Sequence, residues 1–303
     1  MRYDEEFLSA DRETTIHMVT WKPTGTIKGV IQIVHGITEN IMRYNEMAEY
    51  FNNQGYLIVG IDLLGHGLST NNGKKKMYFG GVGSWEYAVS DIKQCFELTK
   101  QEYPNLPYTI LGFSLGSFLV RTLFIEYPNI CEQAIIIGTG QQASFKISLA
   151  QLIVKAEAKK HLDYESTAKI NKLTFETYNK KFKPTRTKYD WLCSSTTAID
   201  NYINDPLRGD YITIGLFREM LNGMKFTADI NNLKKMNKET KLLFLSGSDD
   251  PVGEFTKGVH KAINDYKKAG LTNITYKIYP KLRHDILHED NRYEIFQDIL
   301  NWL

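Results

Sequence analysis

The sequence predicts an α/β fold: a mostly parallel central sheet flanked by helices and interrupted by a helical insertion. Three observations carry this. Nearly continuous apolar runs at Gly29–Val34, Tyr56–Ile61, Gln133–Ile137 and Lys241–Gly247 alternate with helical patterns. Strands that read this way are buried on both faces, as in a parallel sheet covered by helices on each side. The alternation stops between residues 141 and 225, which read as polar and helical, and then resumes. Finally, Gly112-Phe113-Ser114-Leu115-Gly116 joins a strand pattern to a helix pattern, the layout of a nucleophile elbow.

Taken in order, residues 14–21 are β-branched or apolar and stop at the turn Lys22-Pro23-Thr24-Gly25, so they form an opening strand. A shorter partner strand is expected near residues 3–8. The strand at 29–34 ends at His35-Gly36; a helix follows over 43–53, with Gly55 as its C′ glycine. The strand at 56–61 leads into Asp62 and Gly65-His66-Gly67, then a helix over 84–102. Tyr108–Leu111 enters the elbow, a helix covers 116–127, and 133–137 is a short buried strand. After the insertion come a strand at 241–247, a helix at 255–269, a strand at 273–279 and a closing helix at 291–302. The core is thus residues 1–140 and 226–303, with 141–225 as an insertion in the same domain.

Composition excludes several classes. The 303 residues are 42% hydrophobic and 24% charged, enough for one large core. A net charge of +2 gives no footprint for nucleic acid. Cys95, Cys131 and Cys193 are too few and too scattered for a disulfide framework or a metal cluster. No run approaches the ~18 apolar residues that span a bilayer. Met1–Glu6 lacks the apolar stretch of a secretory signal. The expectation is a soluble cytoplasmic protein. No His-Glu-x-x-His, Cys-x-x-Cys or Gly-rich nucleotide loop occurs, so no metal and no cofactor is expected.

At the elbow, Gly112 and Gly116 are required because a Cβ at either position would meet the neighbouring strand or helix. A serine hydroxyl needs a base, and the base needs a third group to orient it. On this architecture the partners follow in the order serine, acid, histidine. His284, five residues past the last strand, fits; His288 is its rival, deeper in the following segment. The acid belongs in Gly247-Ser248-Asp249-Asp250-Pro251-Val252. Asp250, held extended by Pro251, is preferred. Asp249 suits a turn or cap, and Glu254 lies too far along. An oxyanion needs two backbone N–H groups. Leu115 supplies one, and Ile37, in the loop His35–Glu39, the other. His35, Asp62 and His66 precede or flank the serine and read as braces for these loops.

Together these segments resemble an α/β-hydrolase of the monoacylglycerol lipase and lysophospholipase group, a serine aminopeptidase S33-type hydrolase domain. The resemblance rests on His35-Gly36-Ile37-Thr38-Glu39-Asn40 with Arg43-Tyr44, on Asp62…Gly65-His66-Gly67-x-Ser69, and on Gly112–Gly116. It continues through Gly247…Asp250-Pro251-Val252 and Arg283-His284-Asp285…Glu289. Within the insertion, Asp190-Trp191-Leu192 and Asp205-Pro206-Leu207 carry it too. Asn40 stands where relatives often have histidine, and Asp285 where glutamate is common.

The resemblance implies a serine carboxylic ester hydrolase with Ser114, His284 and Asp250 as triad. It also implies a small acyl ester or lipid as substrate, and residues 141–225 as a cap. Within the insertion, Phe145, Ile147, Leu149, Leu152, Ile153 and Ala156 recur at helical spacing, as a core face or as a lid touching substrate or lipid. From Lys146 to Lys188 eleven Lys and Arg face four Asp and Glu, net +7, which leaves −5 on the rest. A basic cap suits peripheral contact with anionic lipid. Competing readings are a short-chain or aromatic-ester carboxylesterase, a thioesterase or aminopeptidase, and a non-catalytic binding protein on the same scaffold.

Overall fold

A computed structural model describes residues 1–174 and 177–303. Eight strands form one sheet: β1 (Arg2–Leu8), β2 (Thr15–Trp21), β3 (Gly29–Val34), β4 (Tyr56–Ile61), β5 (Tyr108–Phe113), β6 (Gln133–Ile137), β7 (Lys241–Gly247) and β8 (Ile274–Tyr279). Their spatial order is β1-β2-β4-β3-β5-β6-β7-β8. The pairs β1–β2 and β2–β4 are antiparallel, and every other pair is parallel. Between strands run α1 (Asn45–Asn53), α2 (Trp85–Glu102), α3 (Leu115–Glu126) and α9 (Lys257–Lys268), and α10 (Arg292–Trp302) follows β8; the helices numbered between α3 and α9 are described below.

The apolar runs divide residue by residue between two cores, because successive side chains on a strand face opposite ways. On one face Val30, Val34, Ile110, Ile136 and Phe244 pack with Ile92, Leu119, Leu123 and Ile263 from α2, α3 and α9. On the other face Ile31, Ile33, Leu111, Ile135 and Leu245 pack with Phe51, Ile295, Phe296 and Ile299 from α1 and α10. Gln32 is the polar exception inside β3. Its side chain donates to Ile92 O and accepts from the Tyr108 hydroxyl, at 2.9 and 2.7 Å, so its burial leaves nothing unpaired.

The chain goes from β3 to β4 on one side, then crosses to the other side of β3 for β5. Ligands bind outside the carboxyl ends of strands at such a reversal. The loop after β3 and the elbow after β5 both open there.

Residues 138–240 lie between β6 and β7, and among the described residues they contain no strand. They hold α4 (Ser144–Glu157), α5 (Ala168–Thr174), α6 (Thr196–Asn204), α7 (Ile214–Ala228) and α8 (Ile230–Leu233). Helix α7 runs across position 225 and packs on α2, α3 and α4. Its N-cap Thr213 accepts from Leu216 N and donates to Met77 O, tying the insertion to the loop after β4. Ile147, Val154, Ile170 and Ile212 join the same core as α7, and a small separate cluster gathers Tyr189, Trp191, Leu192, Cys193, Ile199 and Tyr202.

The apolar stripe of α4 splits. Ile147 is buried and Ile153 half-buried, whereas Ala156 is exposed and Phe145, Leu149 and Leu152 are 70, 58 and 65% exposed; Val154, outside the stripe, is buried. Both ends of the insertion meet Arg121 of α3, which is fully buried. Its guanidinium donates to Thr139 Oγ1, Gly140 O and Gln141 Oε1 on the way in, and to Thr227 O on the way out. A further bond reaches the Tyr266 hydroxyl. Among the described residues, no helix is long and apolar enough to cross a membrane.

Candidate active site

Ser114 occupies the turn between β5 and α3 with φ 51° and ψ −116°, a left-handed strained conformation for a residue with a side chain. The flanking glycines make that turn possible. A Cβ on Gly116 would lie 2.1 Å from Val34 O, and one on Gly112 2.5 Å from Gly116 O. The backbone N–H of Leu115 opens α3, where the first turn has no intrahelical acceptor.

His284 lies in the loop after β8 and Asp250 in the loop after β7. The imidazole Nδ1 is 2.9 Å from Asp250 Oδ1, and Nε2 is 2.9 Å from Ser114 Oγ. An ionised carboxylate only accepts, so Nδ1 carries the proton and Nε2 accepts from the serine hydroxyl. Asp250 is fully buried and also accepts from Val252 N at 2.8 Å. Its Oδ2 has no hydrogen-bond partner among the described residues.

The other candidates fall elsewhere. His288 points away from Ser114: its Nδ1 is 2.8 Å from Asp285 Oδ1, and its Nε2 donates to Arg43 O. Asp249 pairs with Lys181 at 2.8 Å, and Glu254 with Lys146. His35 donates from Nδ1 to Gly36 O and accepts from Leu63 N, which braces two loops. Asp62 accepts from Ile41 N, Leu68 N and His17. His66 donates to Leu64 O, and burial pushes its pKa down to about 3, so it is neutral. These are braces, as the sequence suggested.

One network was not foreseen. Glu39 accepts from Gly36 N, the Tyr44 hydroxyl and Arg43, and Arg43 also donates to Asp285 Oδ2 at 3.0 Å. Asp285 is fully buried; burial opposes its ionisation, but His288 and Arg43 outweigh this and hold it well below the usual carboxylate range. The loop bearing Ile37 is thereby linked to the residue beside His284. Arg43-Tyr44 and Asp285 stood out in the sequence, but nothing there connected them. Asn40 donates to Asp205 Oδ2 at 2.7 Å, joining this loop to the insertion.

A cavity of about 200 Å³ opens at Ser114, with Ile37 and Leu115 in its wall. The insertion contributes most of the apolar remainder, including Trp191, Phe217, Met220 and Met224.

A serine presented at this turn, at the switch point of a doubly wound sheet, makes the protein a serine ester hydrolase of the α/β-hydrolase fold. The chain belongs to the family described as serine aminopeptidase, S33, which matches residues 25–291. It is similar to a monoglyceride lipase homolog of monkeypox virus, 24% identical over 95% of this chain and 94% of that one. It is also similar to the human monoglyceride lipase, 25% identical over 89% of this chain and 84% of the other. Among solved structures, a thermostable carboxyl esterase from Bacillus coagulans in complex with glycerol superposes with TM-score 0.92. That match has 22% identity and covers 99% of this chain and 97% of that one.

Proposed function

We propose that the protein hydrolyses monoacylglycerol- or lysophospholipid-like esters through a triad of Ser114, His284 and Asp250. The observation that carries this is the pair of 2.9 Å contacts joining Ser114 Oγ, the His284 imidazole and a fully buried Asp250 at the mouth of an apolar cavity. Ser114 Oγ attacks the ester carbonyl while His284 Nε2 takes its proton. Asp250 keeps the imidazole in the tautomer that can accept and stabilises the imidazolium. The N–H groups of Ile37 and Leu115 receive the oxyanion. His284 returns the proton to the departing alcohol, and the acyl group stays on Ser114. A water, deprotonated by His284, then releases the acid. The similarity to monoglyceride lipases supports the choice of ester.

Residues 141–225 serve in this reading as the cap that shapes the acyl pocket. The exposed Phe145, Leu149 and Leu152, on a segment of net charge +7, favour peripheral contact with anionic lipid surfaces. A second reading has its own support. The cavity of about 200 Å³ is below the ~300–1,000 Å³ of typical ligand pockets, which favours a short-chain or aromatic-ester carboxylesterase. A chain-length series of p-nitrophenyl esters, run beside monoacylglycerols and lysophospholipids, separates the two. Preference for two- to four-carbon acyl groups with no lipid turnover would reject the lipase reading. Ser114→Ala should lower kcat by roughly 10⁶-fold on every ester; substantial residual activity would reject the triad.

A further inference from the structure

Trp191 belongs to the insertion, and the ester-hydrolysis steps above give it no role. Its ring lies against the imidazole of His284, with centroids 5.2 Å apart and planes 32° apart. Phe113, the last residue of β5, approaches the same imidazole at 5.0 Å and 39°. Gly138 closes a third side: a Cβ there would sit 3.0 Å from His284 Cε1. The histidine is 1% exposed. The core supplies Phe113 and Gly138, and among the described residues the aromatic ring that reaches the imidazole from the insertion is Trp191.

The backbone around Trp191 is bound to the histidine loop on both sides of His284. Arg283 donates from Nη1 to Asp190 O and to Cys193 O, and its guanidinium lies 4.4 Å from the Phe182 ring centroid. Asp285 N donates to Leu192 O at 2.6 Å. Ser194 donates from both N and Oγ to Glu289. On the far side, Trp191 N donates to Asn179 Oδ1, and Tyr178 packs on the indole at 4.8 Å. Residues 190–194 and 283–289 therefore form one hydrogen-bonded unit, although one lies in the insertion and the other in the core.

This arrangement answers a physical requirement. Torsion about the Cβ–Cγ bond of histidine is broad, without narrow staggered wells. The Asp250 contact fixes one ring nitrogen and leaves the ring free to swing about it. An aromatic wall restricts that swing and keeps Nε2 on Ser114 Oγ. During acylation the ring becomes a cation, and an aromatic face attracts a cation in a site without water.

We infer that Trp191 is a positioning residue for His284, so that the insertion completes the catalytic base as well as covering the pocket. The inference rests on the triad proposed above. The test uses p-nitrophenyl acetate, too short to need the acyl pocket, and a small fluorophosphonate whose labelling rate reports activation of Ser114. Trp191→Leu should lower kcat and the labelling rate roughly 10-fold, with KM within about twofold, while Trp191→Phe stays within about threefold of the parent. Arg283→Met, which removes the bonds to Asp190 O and Cys193 O on either side of Trp191 without touching the indole, should reproduce part of the loss in kcat. Thermal unfolding checks that each variant is folded, and if Trp191→Leu is not, Arg283→Met decides. Parental kcat on acetate in folded Trp191→Leu, or in Arg283→Met, would overturn the inference, as would a loss confined to KM or to long-chain esters. Should Ser114→Ala keep the parental rate, the triad itself fails, an outcome distinguishable from failure of Trp191 alone.

Discussion

The sheet and the insertion hold their residues in different ways. In the sheet, strands β2 to β7 divide their side chains between two large cores, and backbone pairing sets register from Val30↔Tyr108 through Leu245↔Lys277. A side chain at the end of such a strand has little freedom. The insertion has a six-residue cluster of its own, joins one of those cores through Ile147, Val154, Leu216, Phe217 and Leu221 of α4 and α7, and is further tied by polar contacts such as Thr213–Met77, Asn40–Asp205 and Lys146–Glu254. In the proposed reaction the sheet fixes where bond cleavage occurs, while the pocket-lining residues of the insertion other than Trp191 set which ester fits. A change in the first should damage activity on all substrates; a change in the pocket-lining residues of the second, Trp191 apart, should reorder them.

Short of removing Ser114 itself, the most severe way to break this division is Gly116→Ala, at the elbow that the sheet holds. The added methyl would meet two backbone oxygens, Val34 O at 2.1 Å and His35 O at 2.6 Å, neither of which can turn aside. The elbow must shift, and a displacement of about 1 Å at a nucleophile costs on the order of 100-fold. Initial rates should fall by that factor on short and long esters alike, with a lower Tm; a loss restricted to long esters would contradict the division. A smaller effect is expected from Met220→Trp, which fills the cavity from α7. It should reduce kcat/KM for long acyl chains about tenfold while sparing acetate, the size of effect that pocket volume commonly gives. Equal losses at both lengths would place Met220 with the catalytic framework instead. The mildest effect belongs to the outer surface of the insertion. Lys155→Glu with Lys159→Glu should weaken partition onto anionic vesicles by ~1 kcal/mol per charge removed near the surface. Solution activity on acetate should not change. Equal binding of the parent to neutral and anionic vesicles, at low and high salt, would remove the electrostatic contribution.

The same division explains what the sequence disclosed. Buried strands announce themselves through apolar runs, and the strand–turn–helix around Ser114 through its glycines; order along the chain then pointed to Asp250 and His284. These are local or ordered signals. The Glu39–Arg43–Asp285–His288 network was not legible, because its members converge only after β3 and β8 have been placed in one sheet. Trp191 shows the same limit. Its motif was visible, but nothing in the chain says that residue 191 will face residue 284. The stripe on α4 was legible as a pattern and ambiguous as a surface. Helical spacing marks which residues share a face without saying how much of it gets covered, and here Ile147 is covered while Phe145, Leu149 and Leu152 are not.

Arg121 sets a rule for recombining this fold. Its guanidinium binds neutral acceptors at residues 139, 140, 141 and 227, so the positions where the insertion leaves and rejoins the core are joined through one cation. A chimera that exchanged residues 142–226 for the equivalent segment of a relative would leave all four acceptors in place. Junctions drawn wider would strand a charge in the interior, and removing the partners of a buried charge is among the costlier changes a protein can undergo. The exchanged segment would still have to supply the contacts that residues 190–194 make with 283–289, so between the two stitches to Arg121 its freedom lies in the residues that touch neither the core nor the histidine loop.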